Sequence, residues 1–534
     1  MKARSVVLLV LGWAALGCIK YEPPGVQVEA PAPIDPPKPA GAPAPTSATD
    51  TPPAPNVPNA EWMLPRSDWQ KPFADQQPIR FVTRSRSPQV WDQLSTFWSE
   101  GTEKARDPRT GQEVERKIVQ IKVPLGLTTD PPLPEENSLT VAKWELGKLL
   151  YFDPILSADG KVACATCHDP AKGWGDQLPV SVGIGGQKGN MNAPTVINTV
   201  FNTFQFWDGR AASLELQAQG PVANPVEMFD LNQGPPDPHA WYKAVDRVRQ
   251  NSEYVRRFRE VFGTEPTRDA IAKALAAYER TVLVGNSIHD RAEMKMRLRV
   301  MEEGKSDFTL QAVDYEEALK DAAANKDAQA LKALGLEPSA DAAKLKEVAE
   351  GIFGGRTLFF NKARCNTCHG GDNFTDNLFH NLGVGAKDGD LGQEHVGRYG
   401  AEPLGHRQPN NFGAQKTPTL RALLDTFPYM HDGSEKTLEE VVEFYDRGGN
   451  ANEYLDINMR DVEKEQEYVR LGAAEFAKKH PGLKVWLCGE NKRPIIPLAL
   501  NLTAKEKADL VLFMKALQGD PVDPIVADPK RLAR

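Results

Sequence analysis

The sequence contains Cys164-Ala-Thr-Cys167-His168 and a second copy of the same pattern, Cys365-Asn-Thr-Cys368-His369. In each copy the two cysteines lie on one face of a helical turn, and a histidine follows directly. Such a turn can bond both vinyl groups of one haem while the imidazole points at the iron. The two copies therefore predict two covalently bound haem c groups, with His168 and His369 as iron ligands.

A structural zinc site or a redox pair is the other interpretation of one such motif. Zinc would need two more ligands per motif, and the only further cysteines of the chain are Cys18 and Cys488. Two copies therefore favour haem. We expect Cys488 to be a buried, unpaired apolar residue, because too few cysteines remain for a disulfide framework.

The composition is that of a soluble globular protein, with 534 residues, 40% of them hydrophobic and 25% charged. This length suffices for two or three domains. The formal net charge is −8, and no basic stripe follows any helix pattern. A protein of this charge has no means of neutralising a phosphate backbone, which excludes a nucleic-acid partner.

The N-terminus has the pattern of an export signal. Lys2 and Arg4 precede an apolar run that ends in small residues before Cys18, so residues 1–17 are predicted to be a signal peptide. Cys18 is then a candidate lipidation site; the alternative is an ordinary signal peptide with an incidental cysteine. A lipid on Cys18 would anchor the protein to a membrane in the periplasm or cell envelope. Residues 18–60, rich in Pro and Ala, predict a disordered linker.

Dense apolar segments with helical spacing and frequent Gly/Pro loops predict a mainly α fold. We expect two cytochrome-c-like haem domains with long loops, at residues 139–289 and 351–520. A charged, Ala-rich insertion of two helices separates them at residues 290–350. Residues 61–138 hold scattered aromatic residues and predict an extension packed on the main body. Individual helices are predicted at 140–150, 269–282, 438–445 and, capped by Thr503, at 502–517.

The segments around the motifs resemble bacterial di-haem cytochrome c peroxidases and their MauG-type relatives. The resemblance covers roughly residues 140–290 and 350–520, and the segments follow the order of that family. The matching segments are Leu146-Gly-Lys-Leu-Leu-Tyr-Phe-Asp-Pro154, Asn192-Ala-Pro-Thr-Val-Ile-Asn198, Phe206-Trp-Asp-Gly-Arg-Ala211, Gln217-Ala-Gln-Gly-Pro221, Thr417-Pro-Thr-Leu-Arg421, Pro428-Tyr-Met-His-Asp-Gly433 and Thr437-Leu-Glu-Glu-Val-Val442.

The resemblance implies unequal roles for the two haems. In the family, peroxide reacts at the N-terminal haem, here that of His168, and the C-terminal haem feeds or stores electrons. Glu227 matches the distal acid/base, the group that moves a proton between the peroxide oxygens. Gln217 and Pro221 match the other distal positions, and Trp207 matches an aromatic residue between the haems. The plainer interpretations are a surface carboxylate for Glu227 and a core residue for Trp207.

An absent histidine departs from the ordinary family pattern. Ordinary family peroxidases carry a distal histidine about sixteen residues past the first haem histidine, where it blocks the open iron position. Here that place falls in Val182-Gly-Ile-Gly-Gly186, and the next histidine after His168 is His239. The first haem is therefore expected to be five-coordinate, or to hold only water, when fully oxidised. This resembles MauG.

The second haem is expected to have Tyr445 as its distal ligand. Tyr445 stands where the resemblance places Met in ordinary peroxidases and Tyr in MauG. Met430 and Met459 are the alternatives, and a core aromatic on a helix is the plainer interpretation of Tyr445. A Met ligand would raise the haem potential, which suits electron entry from a small cytochrome.

The resemblance also implies a calcium ion between the haems, in an all-oxygen site. Its ligands would be the side chain of Asn192 and the backbone carbonyls of Thr426 and Pro428. Haem propionates need charged or polar partners when buried. The candidates for that pairing are Arg210, Arg421 and His431.

The function implied is that of a MauG-like di-haem peroxidase or oxidase that reduces hydrogen peroxide at the first haem with electrons relayed through the second. Its redox partner would be a small cytochrome, a cupredoxin or an oxidised protein substrate. One alternative is an ordinary cytochrome c peroxidase that detoxifies peroxide. The other is a non-enzymatic di-haem electron carrier, which has no need for the distal pocket of Gln217, Pro221 and Glu227.

Overall fold

The computed structural model describes residues 19–21, 75–233 and 237–532. Within these ranges the chain is mainly helical with few and short strands, which confirms the predicted fold class. None of the described helices is both long and apolar enough to cross a membrane. The helices are α1 (Pro88–Gln93), α2 (Val141–Phe152), α3 (Cys164–Cys167), α4 (Leu214–Gln217), α5 (Gly220–Ala223), α6 (His239–Arg249), α7 (Ser252–Phe262), α8 (Arg268–Glu279), α9 (Ile288–Glu302), α10 (Ala312–Ala324), α11 (Ala328–Ala333), α12 (Ala342–Phe360), α13 (Arg398–Ala401), α14 (Leu438–Asp446), α15 (Val462–Leu471), α16 (Ala473–Lys479), α17 (Ala504–Lys515) and α18 (Pro524–Ala527). The strands are β1 (Ile19–Tyr21), β2 (Ile79–Val82), β3 (Trp98–Arg106), β4 (Glu113–Lys122), β5 (Phe379–His380), β6 (Gln415–Lys416), β7 (Val485–Cys488) and β8 (Arg493–Ile495).

The four individually predicted helices are present as α2, α8, α14 and α17, and each begins at a side-chain cap. Thr140 accepts a hydrogen bond from the backbone N–H of Lys143 at the start of α2. Thr503 and Glu506 form a reciprocal capping box at the start of α17. Such caps satisfy backbone donors that the first helical turn leaves unpaired, which is why the sequence marks these starts well.

Two hydrophobic clusters form the cores of the two halves of the molecule. The first contains residues of α2 and α6–α8, and the second contains residues of α9–α12, α14 and α17. A pair of helices crosses closely in each: a Cβ on Gly147 of α2 would lie 1.8 Å from the Ala274 oxygen of α8, and a Cβ on Gly355 of α12 would lie 1.9 Å from the Asp509 oxygen of α17. Only glycine permits such backbone contact.

The described part of the N-terminal extension contains a three-stranded sheet in the order β2-β4-β3. Strands β3 and β4 form an antiparallel hairpin, and β2 runs parallel to β4. Phe97 and Trp98 pack against the first hydrophobic cluster, which confirms that the extension packs on the main body. The hairpin itself was not predicted, since its outer face carries alternating charges rather than an apolar run.

The region predicted as an insertion of two helices differs from that expectation. It contains most of α9, all of α10 and α11, and the beginning of α12. Ile288, Ala292, Tyr315 and Leu319 are buried in the second hydrophobic cluster. Most charged residues of these helices are exposed, while Asp290 and Asp314 are buried in ion pairs with Arg421 and Arg299. These helices therefore complete the core of the second half.

Two expectations near the N-terminus and around Cys488 are wrong. Residues 19–21, assigned to the linker, form β1, which pairs antiparallel with β7. Cys488, at the end of β7, is buried as expected but takes part in a disulfide, so it is not an unpaired cysteine. The predicted signal peptide at 1–17, Cys18 and the rest of the linker lie outside the described residues, as do residues 61–74 of the extension.

Candidate functional site

One large cavity lies between the two halves, with a volume of about 750 Å³. Its wall includes residues of both Cys-x-x-Cys-His motifs, namely Cys167, His168, Cys365, Cys368 and His369. The four motif cysteines are free thiols, so all of them remain able to bond haem vinyl groups. The structure therefore brings together in one place the two motifs that lie far apart in the sequence.

Each motif histidine is oriented by a backbone carbonyl. Nδ1 of His168 lies 3.3 Å from the carbonyl oxygen of Trp174, and Nδ1 of His369 lies 3.0 Å from that of Phe374. A hydrogen bond from Nδ1–H fixes the tautomer and leaves Nε2 unprotonated as a metal ligand. Burial lowers the pKa of both histidines, which also favours the neutral ring.

The segment from residue 205 to residue 221 of the first half is repeated in the second half at an offset of 224 residues. Trp207 corresponds to His431 (431 − 207 = 224) within matching turns closed by backbone bridges. Phe206 and Met430 have φ of 68° and 70°, and both turns lead into a capped helix, α4 or α14. The same offset places Tyr445 at the position of Pro221 (445 − 221 = 224).

The three predicted distal residues of the first half, Gln217, Pro221 and Glu227, all line the cavity. The Asn224 side-chain amide donates a hydrogen bond of 2.5 Å to Oε1 of Glu227. Burial raises the pKa of Glu227, although the charge of Arg210 and the bond from Asn224 partly oppose this. A carboxyl group with a raised pKa is suited to accept and return a proton.

The segment where the ordinary family pattern has a histidine packs tightly against Glu227. The backbone N–H of Ile184 donates to the carbonyl of Glu227 at 2.9 Å. A Cβ on Gly183 would lie 2.1 Å from the Val226 oxygen, so a larger residue there would displace the backbone that carries Glu227. The loop is thus built around glycine, and no side chain of residues 182–186 lines the cavity.

Trp207 lies between the two halves. Its indole N–H donates to the carbonyl of Asn192 at 2.9 Å, and its own carbonyl accepts from the N–H of Lys416 at 2.6 Å. Its ring centroid is 6.4 Å from that of His431, the corresponding residue of the second half. Trp207 also lines the cavity, so one aromatic ring adjoins both predicted haem pockets.

All three candidate distal ligands of the second haem, Tyr445, Met430 and Met459, line the cavity. Burial raises the pKa of Tyr445, and the neighbouring Cys365 and Cys368 raise it further. Tyr445 therefore lies close to the second motif. Its raised pKa favours the neutral phenol. Its repeat position, equivalent to the distal Pro221, distinguishes it from Met430, which corresponds to Phe206.

The predicted calcium ligands lie along one part of the cavity wall, where Asn192, Thr426 and Pro428 all contribute. The side-chain amide N–H of Asn192 donates to the carbonyl of Leu178 at 2.6 Å. This bond turns the amide so that Oδ1 remains free to accept a cation. Hard cations such as calcium take this kind of oxygen ligand.

The three candidate partners of the propionates have different surroundings. The prediction that Arg421 pairs with a propionate is wrong. Both ends of its guanidinium contact Asp290, at 2.8 and 3.1 Å, and its other donors bind backbone carbonyls. Arg421 does not line the cavity. Arg210 does line it, and so does His431, whose Nε2 lies 2.9 Å from Nδ1 of His395.

Sequence reasoning missed two polar residues of β6. Gln415 and Lys416 are buried and line the cavity. Neither side-chain atom of the Gln415 amide has a hydrogen-bond partner within the described residues. Burial lowers the pKa of Lys416 to about 8. Buried groups of this kind require partners, and haem carboxylates would supply them, so these residues fit the predicted cofactor.

Comparison with known proteins identifies the family of the chain. The sequence model of the di-haem cytochrome c peroxidase family matches residues 141–297. The methylamine utilization protein MauG of Methylorubrum extorquens is 33% identical over 359 residues, which cover 66% of this chain and 82% of that protein. Cytochrome c551 peroxidase of Nitrosomonas europaea is 33% identical over 300 residues, which cover 56% and 71% of the two chains.

A solved structure, that of a MauG-like protein associated with microbial copper homeostasis, is 24% identical with a TM-score of 0.49, covering 75% of this chain and 96% of that one. The extent of the match to MauG is sufficient to settle the family, and the two motif histidines facing one cavity agree with it. This chain therefore belongs to the family of di-haem cytochrome c peroxidases and MauG proteins, and it is a haem peroxidase.

Proposed function

We propose that the chain is a MauG-like di-haem c-type peroxidase in which hydrogen peroxide reacts at the N-terminal haem and electrons pass through the C-terminal haem. The observation that carries this proposal is the inequality of two corresponding pockets. The first half presents Glu227, Gln217 and Pro221 with no histidine to block the iron, whereas the second presents Tyr445 at the position of Pro221. We infer that the first pocket handles the proton and that the second ligates the iron.

The residues that would hold the haems follow from the motifs. Cys164 and Cys167 would form thioethers with one haem, and Cys365 and Cys368 with the other. When bound, each haem supplies a redox-active iron, with the imidazoles described above as proximal ligands. A bound calcium ion would be held by Asn192 and by the carbonyls of Thr426 and Pro428.

Glu227 is proposed to move the proton that peroxide cleavage requires. Its carboxylate accepts a proton from one peroxide oxygen and donates it to the other, so that the leaving oxygen departs as water. Reduction of one peroxide to two waters consumes two electrons and two protons. Trp207, in contact with both halves, is the proposed path by which electrons pass between the haem pockets.

The reductant is proposed to be a redox partner protein: a small cytochrome, a cupredoxin or a protein whose side chains are oxidised. The absence of a blocking histidine and the presence of Tyr445 favour the MauG-like mode over that of an ordinary cytochrome c peroxidase. A MauG is among the relatives, and so is a cytochrome c551 peroxidase. Nothing in the charge distribution suits a nucleic acid.

Rapid mixing of the fully oxidised protein with hydrogen peroxide tests this proposal. We expect an immediate change in the haem absorption spectrum without prior reduction, and a high-spin signal from one haem in the resting EPR spectrum. A purely low-spin resting spectrum together with no reaction would instead identify an electron carrier. Reaction only after half-reduction would identify an ordinary cytochrome c peroxidase.

Replacing Tyr445 with Phe is expected to change the absorption and EPR spectra of the second haem, because the phenol oxygen is the proposed ligand. Phe retains the ring packing on α14, so the fold should persist. Met459→Leu serves as the matched control, since Met459 lines the same cavity and should leave the spectra unchanged. The opposite result, with only Met459→Leu altering the spectra, would assign a Met ligand.

The site of action is proposed to be the periplasm or cell envelope, with a lipid on Cys18. Cys18 is the one cysteine of the sequence besides Cys488 and the four cysteines of the haem motifs. A lipid thioether on Cys18 and a disulfide between Cys18 and Cys488 exclude each other. Mass spectrometry of the N-terminal peptide from the exported protein, before and after reduction, distinguishes the two.

A further inference from the structure

Five oxidisable aromatic residues form a continuous cluster behind the first haem motif. We call this set, Trp98, Trp144, Tyr151, Trp174 and Tyr278, the proximal aromatic cluster. The ring centroids of neighbouring members lie 4.7 to 6.3 Å apart. Such spacing brings ring edges close to van der Waals contact, where electrons pass rapidly between rings.

The inner end of the cluster contacts the predicted iron ligand. The hydroxyl of Tyr151 donates to the carbonyl of His168 at 2.7 Å. The carbonyl of Trp174 is the partner of His168 Nδ1, as described above. Two members of the cluster therefore contact His168, one at its backbone carbonyl and one at its ring Nδ1.

The outer end of the cluster reaches the surface at Trp98 on β3. From Trp174 the rings continue to Tyr278 at 6.3 Å, to Trp144 at 5.9 Å and to Trp98 at 4.7 Å. Trp144, Trp174 and Tyr278 are at most 2% exposed. Trp98 is half-buried, so it is the member from which an electron can be exchanged with a molecule in solution.

The second half of the molecule shows that packing alone does not require these residue types. Gly147 of α2 and Gly355 of α12 occupy the same place in the two halves, the close crossing of two helices, and they are 208 residues apart in sequence (355 − 147). With this offset, Tyr151 of α2 corresponds to Phe359 of α12 (359 − 151 = 208). Ala274 of α8 faces Gly147, and Asp509 of α17 faces Gly355, so these two residues also correspond, at an offset of 235 residues (509 − 274). With this offset, Tyr278 of α8 corresponds to Phe513 of α17 (513 − 278 = 235).

The corresponding ring pairs have the same geometry. Tyr151 and Tyr278 lie 5.0 Å apart, while Phe359 and Phe513 lie 5.2 Å apart, both edge to face. By the same alignment Trp144 corresponds to Ile352, and Trp174 corresponds to Phe374 through its bond to the motif histidine. Phenyl and aliphatic groups are far harder to oxidise than indole or phenol. At these corresponding positions the oxidisable types thus occur only in the half that is proposed to react with peroxide.

We propose that the proximal aromatic cluster is an electron path that connects the proximal side of the first haem to Trp98, where a phenolic one-electron donor is oxidised at the surface of the N-terminal sheet. This proposal rests on the proposed function, because peroxide reacting at the first haem supplies the oxidising equivalents. It adds a second exit to the path through Trp207.

The electrons and protons balance as follows. An electron leaves Trp98 for the haem centre through Trp144 and Trp174, and Trp98 is left as a radical cation. A phenol in solution restores Trp98 by giving up one electron, releases one proton to water and becomes a phenoxyl radical. Two phenols thus provide the two electrons and two protons that convert one peroxide to two waters.

Tyr278 is expected to have a different role in electron transfer from that of the indoles. Its hydroxyl donates to the carbonyl of Val526 at 2.8 Å, and a carbonyl cannot take the phenol proton. Oxidised tyrosine loses that proton, whereas oxidised indole can keep its own. The missing electron is therefore expected to be located on the indoles. Tyr278 serves as the bridging ring between Trp174 and Trp144.

The proposed electron path can be tested without measuring turnover, by locating the side chains that peroxide treatment oxidises. The haem-loaded protein is treated with peroxide in the absence of any donor, and hydroxylated tryptophans are located by peptide mass spectrometry. We expect Trp98 to be marked, and Trp144→Phe to lower its marking about tenfold or more while marks accumulate at Trp174. Trp241→Phe is the control, because Trp241 is a fully buried indole of the same core outside the cluster.

Marking of Trp98 that persists unchanged in Trp144→Phe would overturn the path, since the marks would then come from peroxide in solution. Peroxide consumption is measured in the same samples. If the unaltered protein consumes none, the proposed function fails; if it consumes peroxide and Trp98 stays unmarked, only the path fails.

A second variant covers the case in which Trp144→Phe does not fold. Trp98→Phe alters only a half-buried ring, and it should slow oxidation of a methoxyphenol about tenfold while peroxide reduction with a small cytochrome donor is unchanged. Equal methoxyphenol oxidation by Trp98→Phe and by the unaltered protein would also overturn the proposal.

Discussion

Replacing Glu227 with Gln is expected to slow peroxide reduction about 100- to 10,000-fold, the range typical for loss of a general acid–base group. Glutamine keeps the size of the side chain and can still bind the Asn224 amide, but it cannot take a proton from peroxide. The change should lower the turnover rate at saturating peroxide more than it raises the peroxide concentration for half-maximal rate. Steady-state kinetics with a small cytochrome as the donor measure both.

Glu394→Gln is the matched control, because Glu394 also lines the cavity but lies on an exposed turn of the second half. Its rate should equal that of the unaltered protein. Comparable losses in both variants would mean that the charge of the cavity, rather than proton transfer by Glu227, governs the rate.

The pH profile gives a second check on Glu227. Burial raises its pKa, and the carboxylate is the form that accepts the peroxide proton. The rate should therefore fall as the pH drops through this raised pKa, above the ordinary value of about 4.3 for glutamate. Glu227→Gln should lose this acidic limb of the profile, and retention of the limb would assign it to another group.

Replacing Asp290 with Ala is expected to lower the free energy of unfolding by about 3–5 kcal/mol, because it leaves the Arg421 guanidinium buried without its counter-charge. Both side chains are nearly inaccessible, with 4% of Asp290 and 1% of Arg421 exposed. The pair joins α9 to the loop that follows β6. Urea unfolding of the haem-loaded protein, followed by circular dichroism, measures the change.

Glu253→Ala is the control, since it removes an exposed ion pair on α7 and should leave the urea midpoint unchanged. The double variant Asp290→Ala, Arg421→Met should be more stable than Asp290→Ala, because it removes the unpaired charge. A double variant as unstable as the single one would show that the loss comes from a cavity rather than from charge.

The Asp290 pair also has a defined pH dependence. Burial by itself would raise the pKa of Asp290, but the charge and hydrogen bonds of Arg421 outweigh it and hold the pKa below the ordinary value. Its stabilising contribution is therefore complete above the ordinary pKa of about 3.9 and disappears as the pH falls through the lowered value. The urea midpoints of the unaltered protein and Asp290→Ala should converge in acid.

The sequence was most informative where chemistry or backbone geometry dictates the residue type. The Cys-x-x-Cys-His motifs predicted the cofactor, and Thr503 was predicted as a helix cap, which the structure confirms. The predicted distal set of Gln217, Pro221 and Glu227 lines one cavity. Local rules suffice for such features, because a cap or an attachment turn depends on residues only a few positions apart.

Contacts between distant segments were the part that sequence did not reveal. Arg421 looked like a propionate partner because its counter-charge, Asp290, lies 131 residues away in sequence. Gln415 and Lys416 were not predicted at all, since nothing local in the sequence indicates that β6 is buried. The internal repeat was hidden because its offsets differ between segments, 208 at Gly147 and 224 at Trp207, owing to loops of unequal length.

The short strand β1 has a consequence for how the protein meets a surface. Residues 19–21 pair with β7, and β7 pairs on its other side with β8, so the first described residues are fixed to the sheet that follows α16. Since β1 is an edge strand of this sheet, a tether attached ahead of residue 19 would hold the body at that edge, and its reach would not depend on the length of the Pro-rich sequence that follows β1.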